Sequence, residues 1–522
     1  MAQQKSEDRV VPDGGVTPAK PAGSSTGGQG KAIPVDEAVS QLRLPVATAE
    51  APRGGSRARP PGHSGGGAGA RVPKATVNEQ IGEPATMDEV AERLDSALLK
   101  VVSNRGASGP DGMTVEALRE QWPTLARRLR ADLLEGSWRP GEVRRVSIPK
   151  AGGGRRDLGI PNVSDRVVME AVRAALEPRF EPTFHPSSHG FRPGRSAHTA
   201  IAEAIGHLKD GCEWVVDIDL EKFFDRVNHQ RLMARLAQRV GDRRLLVVIG
   251  RMLRAGVVLP DGVVVSSAEG VPQGSPLSPL LSNIVLDELD AELARRGHRF
   301  VRYADDACVF VQTERAGYRV MASLTRFIEG RLRLKVNRAK SAVARPEDRH
   351  FLGFCLRKDS QSGAVEVLLS QRTKRNAMAC IRELTPRNWG GSLQSAIRRI
   401  NVWLRGWHRY FGIAADTEQY TLRALDAHIR RRLRAIVLKH WKRQRTIARN
   451  LVALGVNWRS AWRGVYAGRK STWALSHSPA VDRAMPVVFF TARGLICLVE
   501  LHRRSRGDIV APVQVQMALE WG

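Results

Sequence analysis

Phe300-Val301-Arg302-Tyr303-Ala304-Asp305-Asp306-Ala307-Cys308-Val309-Phe310 reads as two short strands joined at a pair of carboxylates. The flanks are aromatic, β-branched and apolar, the composition of half-buried strands. Adjacent aspartates repel each other, and burying them is costly without cations. Mg²⁺ is the usual compensation, because it prefers carboxylate oxygens and keeps positions open for substrate phosphates. A solvated surface turn has the same four central residues, so this stretch alone leaves both readings open.

Working outward, WVVDIDLEKFFDRVNH at 214–229 begins as a buried strand and runs on into a helix. Asp217 and Asp219 alternate with apolar residues and so share one strand face. Acids on a hairpin and on a neighbouring strand are expected to form a set able to bind two cations. A two-metal site stabilises both the attacking and the leaving oxygen of a phosphoryl transfer, the chemistry of a polymerase. Further on, EGVPQGSPLSPLLSN at 269–283 places a tight turn, Pro272-Gln273-Gly274, before a helix. That turn directs backbone N–H groups and the Gln273 amide at a substrate, although an ordinary Gly-Pro loop looks similar in isolation.

The charge balance points the same way. Among 522 residues, 82 Lys and Arg stand against 53 Asp and Glu, a formal net charge of +29. Such an excess repels itself unless a polyanion is present, and nucleic acid is the expected one. The five cysteines form no C-x-x-C pair, which disfavours a zinc ribbon or disulfide framework and fits a reducing cytosol. No apolar run has the length of a signal peptide or membrane span, so the expected location is cytoplasmic, beside the nucleoid.

Composition suggests four regions. Residues 1–85 are rich in Gly, Pro, Ser and Ala and read as a disordered extension. Residues 86–368 alternate short strands and helices around a mixed sheet, the pattern of an α+β core. Within them, VRRVSIPKAGGGRRDLGIP predicts a strand hairpin with a Gly-rich tip. Residues 369–450 predict long helices, one over about 391–411 and another over about 417–450. The rest, 451–522, is mixed and basic, and is expected to extend the nucleic-acid-binding surface.

Eight segments in order carry a family resemblance: NRGASGPDGM, VSIPKAGGGRRDLGIPNVSDR, HGFRPGRSAHTA, DIDLEKFFDRVNH, GVPQGSPLSPLLSN, RYADD, LKVNRAKS and HFLGF. Together they resemble the reverse transcriptases encoded by bacterial group II introns, over about residues 87–500. The resemblance implies a right-hand polymerase, with fingers and palm followed by an α-helical thumb or maturase domain. It implies RNA-directed DNA synthesis, two Mg²⁺ ions (with Mn²⁺ as a substitute), and help to the parent intron RNA in splicing and retrohoming. Its partners are the intron RNA template, a DNA target and primer, and deoxynucleotides.

Carried over by position, Asp219, Asp305 and Asp306 become the catalytic, metal-binding acids, with the Leu220 carbonyl as a further ligand. Asp217 becomes a supporting neighbour. Phe224 takes the sugar-sensing place, where a ring clashes with a 2′-hydroxyl; a plain core phenylalanine is the plainer reading. Lys150 and Arg156 grip the incoming triphosphate, and Gln273 lies under the nucleotide. Arg192, Arg195 and Tyr303 contact template or primer. Arg430, Arg431, Arg432, Lys442 and Arg443, on a basic helix near the signature RGWHRYF, contact RNA. Ser275 departs from the glycine often found after PQG. The H-N-H endonuclease of many relatives, with its cysteine pairs, is expected to be absent. Two other readings compete: a domesticated reverse transcriptase of CRISPR-associated or retron-like type, and a splicing factor that binds RNA without catalysis.

Overall fold

The computed structural model describes residues 83–149, 155–265, 269–386, 388–467 and 471–506. Three sheets organise it. The central one has four antiparallel-paired strands in the order β6-β7-β3-β8, comprising β3 (Trp214–Ile218), β6 (Arg299–Tyr303), β7 (Asp306–Val311) and β8 (Ala342–Ala344). A second sheet, in the order β2-β1-β4-β5, is built on the hairpin of β1 (Val143–Pro149) and β2 (Arg155–Ile160), followed by β4 (Val257–Val258) and β5 (Val264–Val265). A third contains only β9 (Phe354–Lys358) and β10 (Val365–Leu369).

Strand alternation assigns the two faces of the central sheet to different cores. Val216, Ile218, Phe300, Val309 and Val311 pack with the helices between residues 87 and 180 and with helix Ser278–Arg295. Val215, Val301, Cys308 and Phe310 pack on the other face, with helix Ala197–Lys209 and the C-terminal helices. Asp217 lies one residue from Val216 and pairs with Cys308, so the acids project from this second face.

The C-terminal region is helical, as its sequence predicts. Helix Leu393–Phe411 begins at a Ser392 cap, whose side chain accepts from the Ser395 N–H. The expected second long helix is interrupted. Helix Gln419–His440 stops before Trp441, Lys442 adopts φ 55°, and a separate helix runs from Gln444 to Ala453. Ile447 and Leu451 fall in helical phase with Leu433 and Ile436, which is why periodicity alone joins the two helices across the polar residues 442–446.

Candidate active site

The site grows from the register of the central sheet. Ile218 pairs with Ala307 and Asp217 with Cys308. One step further along the same antiparallel register, Asp219 comes beside Asp306. Directly opposed residues project to the same side of an antiparallel pair, so Asp217, Asp219 and Asp306 share one face. On the far strand Tyr303 pairs with Asp306, leaving Ala304 and Asp305 as a two-residue turn. Ala304 has φ 58°, the positive value that tight hairpins require. For a residue with a Cβ this conformation costs about 1 kcal/mol more than for glycine.

The electrostatics record how crowded the acids are. Desolvation among the neighbouring groups, together with Asp305, Asp217 and Asp219, pushes Asp306 up to about 7, even though the residue is exposed to solvent. Burial also raises Asp305, with Asp219 adding to the rise and Arg156 opposing it. Cations supply only part of the balance. Arg349 donates to Asp217 at 2.9 Å, and Lys340 stands 3.6 Å from Asp219. Ser341 accepts from the Asp219 N–H at 3.0 Å, and Asn337 donates to the Asp219 carbonyl at 2.8 Å. Leu220 forms a bridge with Val336 whose bonds run through the Asp219 carbonyl and the Glu221 N–H. Carbonyls alternate along a strand, so that of Leu220 turns to the opposite side, where the hairpin lies.

Among the described residues, no three His, Cys, Asp or Glu side chains converge closely enough to hold an ion as they stand. The donor chemistry nevertheless suits a hard divalent cation, since carboxylates that raise one another are relieved by positive charge.

The other predicted residues surround these acids unequally. Phe223 takes the core place, while Phe224 is only half-buried and meets it edge-on at 5.2 Å between ring centroids. The Phe224 carbonyl accepts from the Val271 N–H at 2.7 Å, tying this turn to the segment with Gln273. Gln273 in turn accepts from the Gly159 N–H at 2.7 Å, through its carbonyl. Gly274 has φ +117°, and a Cβ there would stand 2.6 Å from the Gly159 carbonyl oxygen, so the turn needs glycine to reach the fingers hairpin. Arg156, exposed on that hairpin, is close enough to act electrostatically on Asp305. Lys150 lies outside the described residues. Tyr303 is half-buried against the C-terminal core.

Two expected nucleic-acid contacts are corrected by burial. Arg192 donates to Glu181 at 2.8 Å and to the carbonyls of His185 and Ser188 at 2.7 and 2.9 Å. Its side chain is 6% exposed, so it organises its own loop instead of reaching a template. Arg432 is buried too, and donates to Thr385 Oγ1 at 2.9 Å and to the Thr385 carbonyl. Arg195 stays half-exposed and donates to the Pro186 carbonyl. Arg431 lies over the Trp473 ring at 4.1 Å, Arg430 is half-buried, and Lys442 and Arg443 are exposed.

Sequence reasoning overlooked Lys340 and Ser341, although LKVNRAKS was on view. It also overlooked Arg302, the residue that precedes Tyr303.

Residues 148–356 match the family described as reverse transcriptase (RNA-dependent DNA polymerase), and residues 374–452 match the group II intron, maturase-specific domain. Protein YkfC of Escherichia coli K12 is 34% identical over 337 residues, covering 56% of this chain and 88% of that protein. The chain belongs to the group II intron reverse transcriptase/maturase family. This reverse transcriptase is also 34% identical over 229 residues to the group II intron-encoded protein LtrA of Lactococcus lactis, covering 41% of this chain and 37% of LtrA. Against a putative COX1/OXI3 intron 2 protein of Saccharomyces cerevisiae it is 34% identical over 199 residues, 38% of this chain and 23% of the relative. It thus spans well under half the length of these two intron proteins. By family it is an RNA-directed DNA polymerase. No helix among the described residues is long and apolar enough to cross a membrane.

Proposed function

We propose that this reverse transcriptase copies its intron RNA into DNA at Asp219, Asp305 and Asp306, and that its helical region binds the same RNA to assist splicing and retrohoming. The observation that carries the reading is the β3–β7 register, which brings acids from two separate motifs onto one face. These acids and the Leu220 carbonyl would hold two divalent cations, Mg²⁺ or Mn²⁺, which would supply charge neutralisation to the attacking and leaving oxygens. The protein's own groups do the rest. Arg156 and Lys150 on the fingers hairpin neutralise the triphosphate of the incoming deoxynucleotide. Gln273 is held beneath it by the bond to Gly159, and the Phe224 ring excludes a 2′-hydroxyl. Tyr303 abuts the DNA primer end. Arg195 and the exposed cations Lys442 and Arg443 follow the phosphates of RNA or of the DNA target, with Arg430 and Arg431 beside them. The basic region from 451 onward extends this surface, and the work is done in the cytoplasm.

Extension of a DNA primer on an RNA template with deoxynucleotides and Mg²⁺ tests the reading. RNA binding without any incorporation overturns it in favour of a non-catalytic splicing factor. For the maturase half, added protein should lower the Mg²⁺ requirement for splicing of the parent intron.

A further inference from the structure

Arg302 is fully buried, and so is Asp290, its partner. It sits on β6 opposite Ala307, so its side chain leaves the sheet on the face away from the acids. All five of its N–H donors are engaged. Nε and Nη2 hold Asp290 at 2.7 and 2.5 Å, and Nη2 also reaches Ser188 Oγ at 2.6 Å. Nη1 donates to Asn283 Oδ1 at 2.9 Å and to the carbonyl of Ala304 at 2.8 Å. Asn283 and Asp290 lie seven residues apart on helix Ser278–Arg295, which places them on one helix face. The Asn283 amide donates onward to the Gly190 carbonyl at 2.9 Å. The backbone repeats the connection: Arg302 donates to the Ser187 carbonyl at 2.9 Å, and His189 to that of Arg302 at 2.8 Å.

A buried ion pair is a poor route to stability, because apolar residues of similar volume do as well or better. What this one does is specific. The guanidinium grips the carbonyl of Ala304, the first residue of a turn with an unfavourable φ, directly before Asp305 and Asp306. The turn must hold two mutually repelling carboxylates at a fixed place, and its own backbone preference does not favour the shape.

We propose that Arg302, anchored by Asp290, Asn283 and Ser188, is a positioning residue that sets the place of the Asp305–Asp306 turn and so the affinity of these acids for divalent cations. It touches neither substrate nor metal. The proposal rests on reading Asp305 and Asp306 as metal-holding acids. It also gives a role to the HGFRPGRS segment, which braces the turn from below.

The test is a titration of the full-length protein with Mn²⁺, followed by electron paramagnetic resonance without nucleotide or nucleic acid. Primer extension runs alongside it. Arg302→Lys keeps the charge but loses the planar fork, and should weaken Mn²⁺ binding by about 10-fold or more, as loss of groups that orient metal ligands does. Its kcat should fall comparably, while KM for deoxynucleotide and affinity for RNA stay unchanged. Ser188→Ala removes a single bond and is the fold-sparing variant; it should shift the Mn²⁺ midpoint in the same direction by a smaller factor. Arg166→Lys is the control. Arg166 is also a buried arginine, held by the Pro161 carbonyl at 3.0 and 2.8 Å, and its partners lie in the fingers. It should lower the melting temperature without moving the Mn²⁺ midpoint. An unchanged midpoint in folded Arg302→Lys and Ser188→Ala, with wild type binding Mn²⁺ through the two acids, overturns the positioning role alone. Wild-type binding of Mn²⁺ that is indifferent to Asp305→Ala plus Asp306→Ala overturns the reading of the site itself, and the proposal with it.

Discussion

Gly190 lies directly against Ala304: a Cβ on Gly190 would stand 2.2 Å from the Ala304 backbone nitrogen. The atom it meets is main chain, so relief requires moving the turn that carries Asp305 and Asp306. Gly190→Ala is therefore expected to cost about 1–3 kcal/mol of stability, the usual range for overpacking. Its polymerase activity should fall by about 100-fold, since displacements near 1 Å can cost that much. Thermal melts and primer extension measure the two effects. Near-wild-type activity would show that the turn tolerates displacement.

The pH dependence of stability follows from Asp306. A carboxyl raised from 3.8 to about 7 stays protonated in the folded protein at pH values where the unfolded chain has lost the proton. Metal-free protein should thus lose stability from this group as pH rises from about 4 to about 7, with the loss complete above that. Asp306→Asn should flatten this part of the melting-temperature profile and raise the melting temperature at pH 8. Identical slopes for the two proteins would contradict the crowding of the acids.

Phe224 is half-buried beside a Phe223 that already fills the core. Phe224→Ala is expected to reduce discrimination against ribonucleotides by about 10- to 200-fold, the range available to a steric contact. Single-nucleotide incorporation of paired deoxy- and ribonucleotides gives the ratio. An unchanged ratio would return Phe224 to a packing role.

In the C-terminal region, burial separates two kinds of arginine. Neutralising the exposed pair, Lys442→Gln with Arg443→Gln, should weaken RNA binding and reduce the slope of log affinity against log salt by about 0.7 per lost phosphate contact. Arg432→Ala should instead lower the melting temperature and leave that slope alone, because its guanidinium is committed to Thr385. Binding at several salt concentrations distinguishes the outcomes, and a changed slope in Arg432→Ala would put that residue back on the RNA.

What the sequence revealed was local. Strand composition around Tyr303–Asp306, the alternation at Asp217 and Asp219, and the turn at Gln273–Gly274 are each contained in a few neighbouring residues. The roles of Arg192 and Arg432 were illegible because an arginine looks the same whether it faces a phosphate or a carbonyl. Arg302 was hidden for a different reason: its partners Asp290, Asn283 and Ser188 are 12, 19 and 114 positions away. The seven-residue spacing of Asn283 and Asp290, two fully buried polar residues on one helix face, was the available signal. The break at Lys442 escaped because Ile447 and Leu451 fall in helical phase with Leu433 and Ile436, although the residues between Trp441 and Ile447 are polar.

The central claim is that the turn acids and Asp219 form one catalytic centre, and the most direct measurement is primer extension by Asp305→Ala plus Asp306→Ala on an RNA template with Mg²⁺. The account predicts no detectable incorporation by a protein that folds and binds RNA as wild type does. Incorporation that persists in that double variant would contradict it.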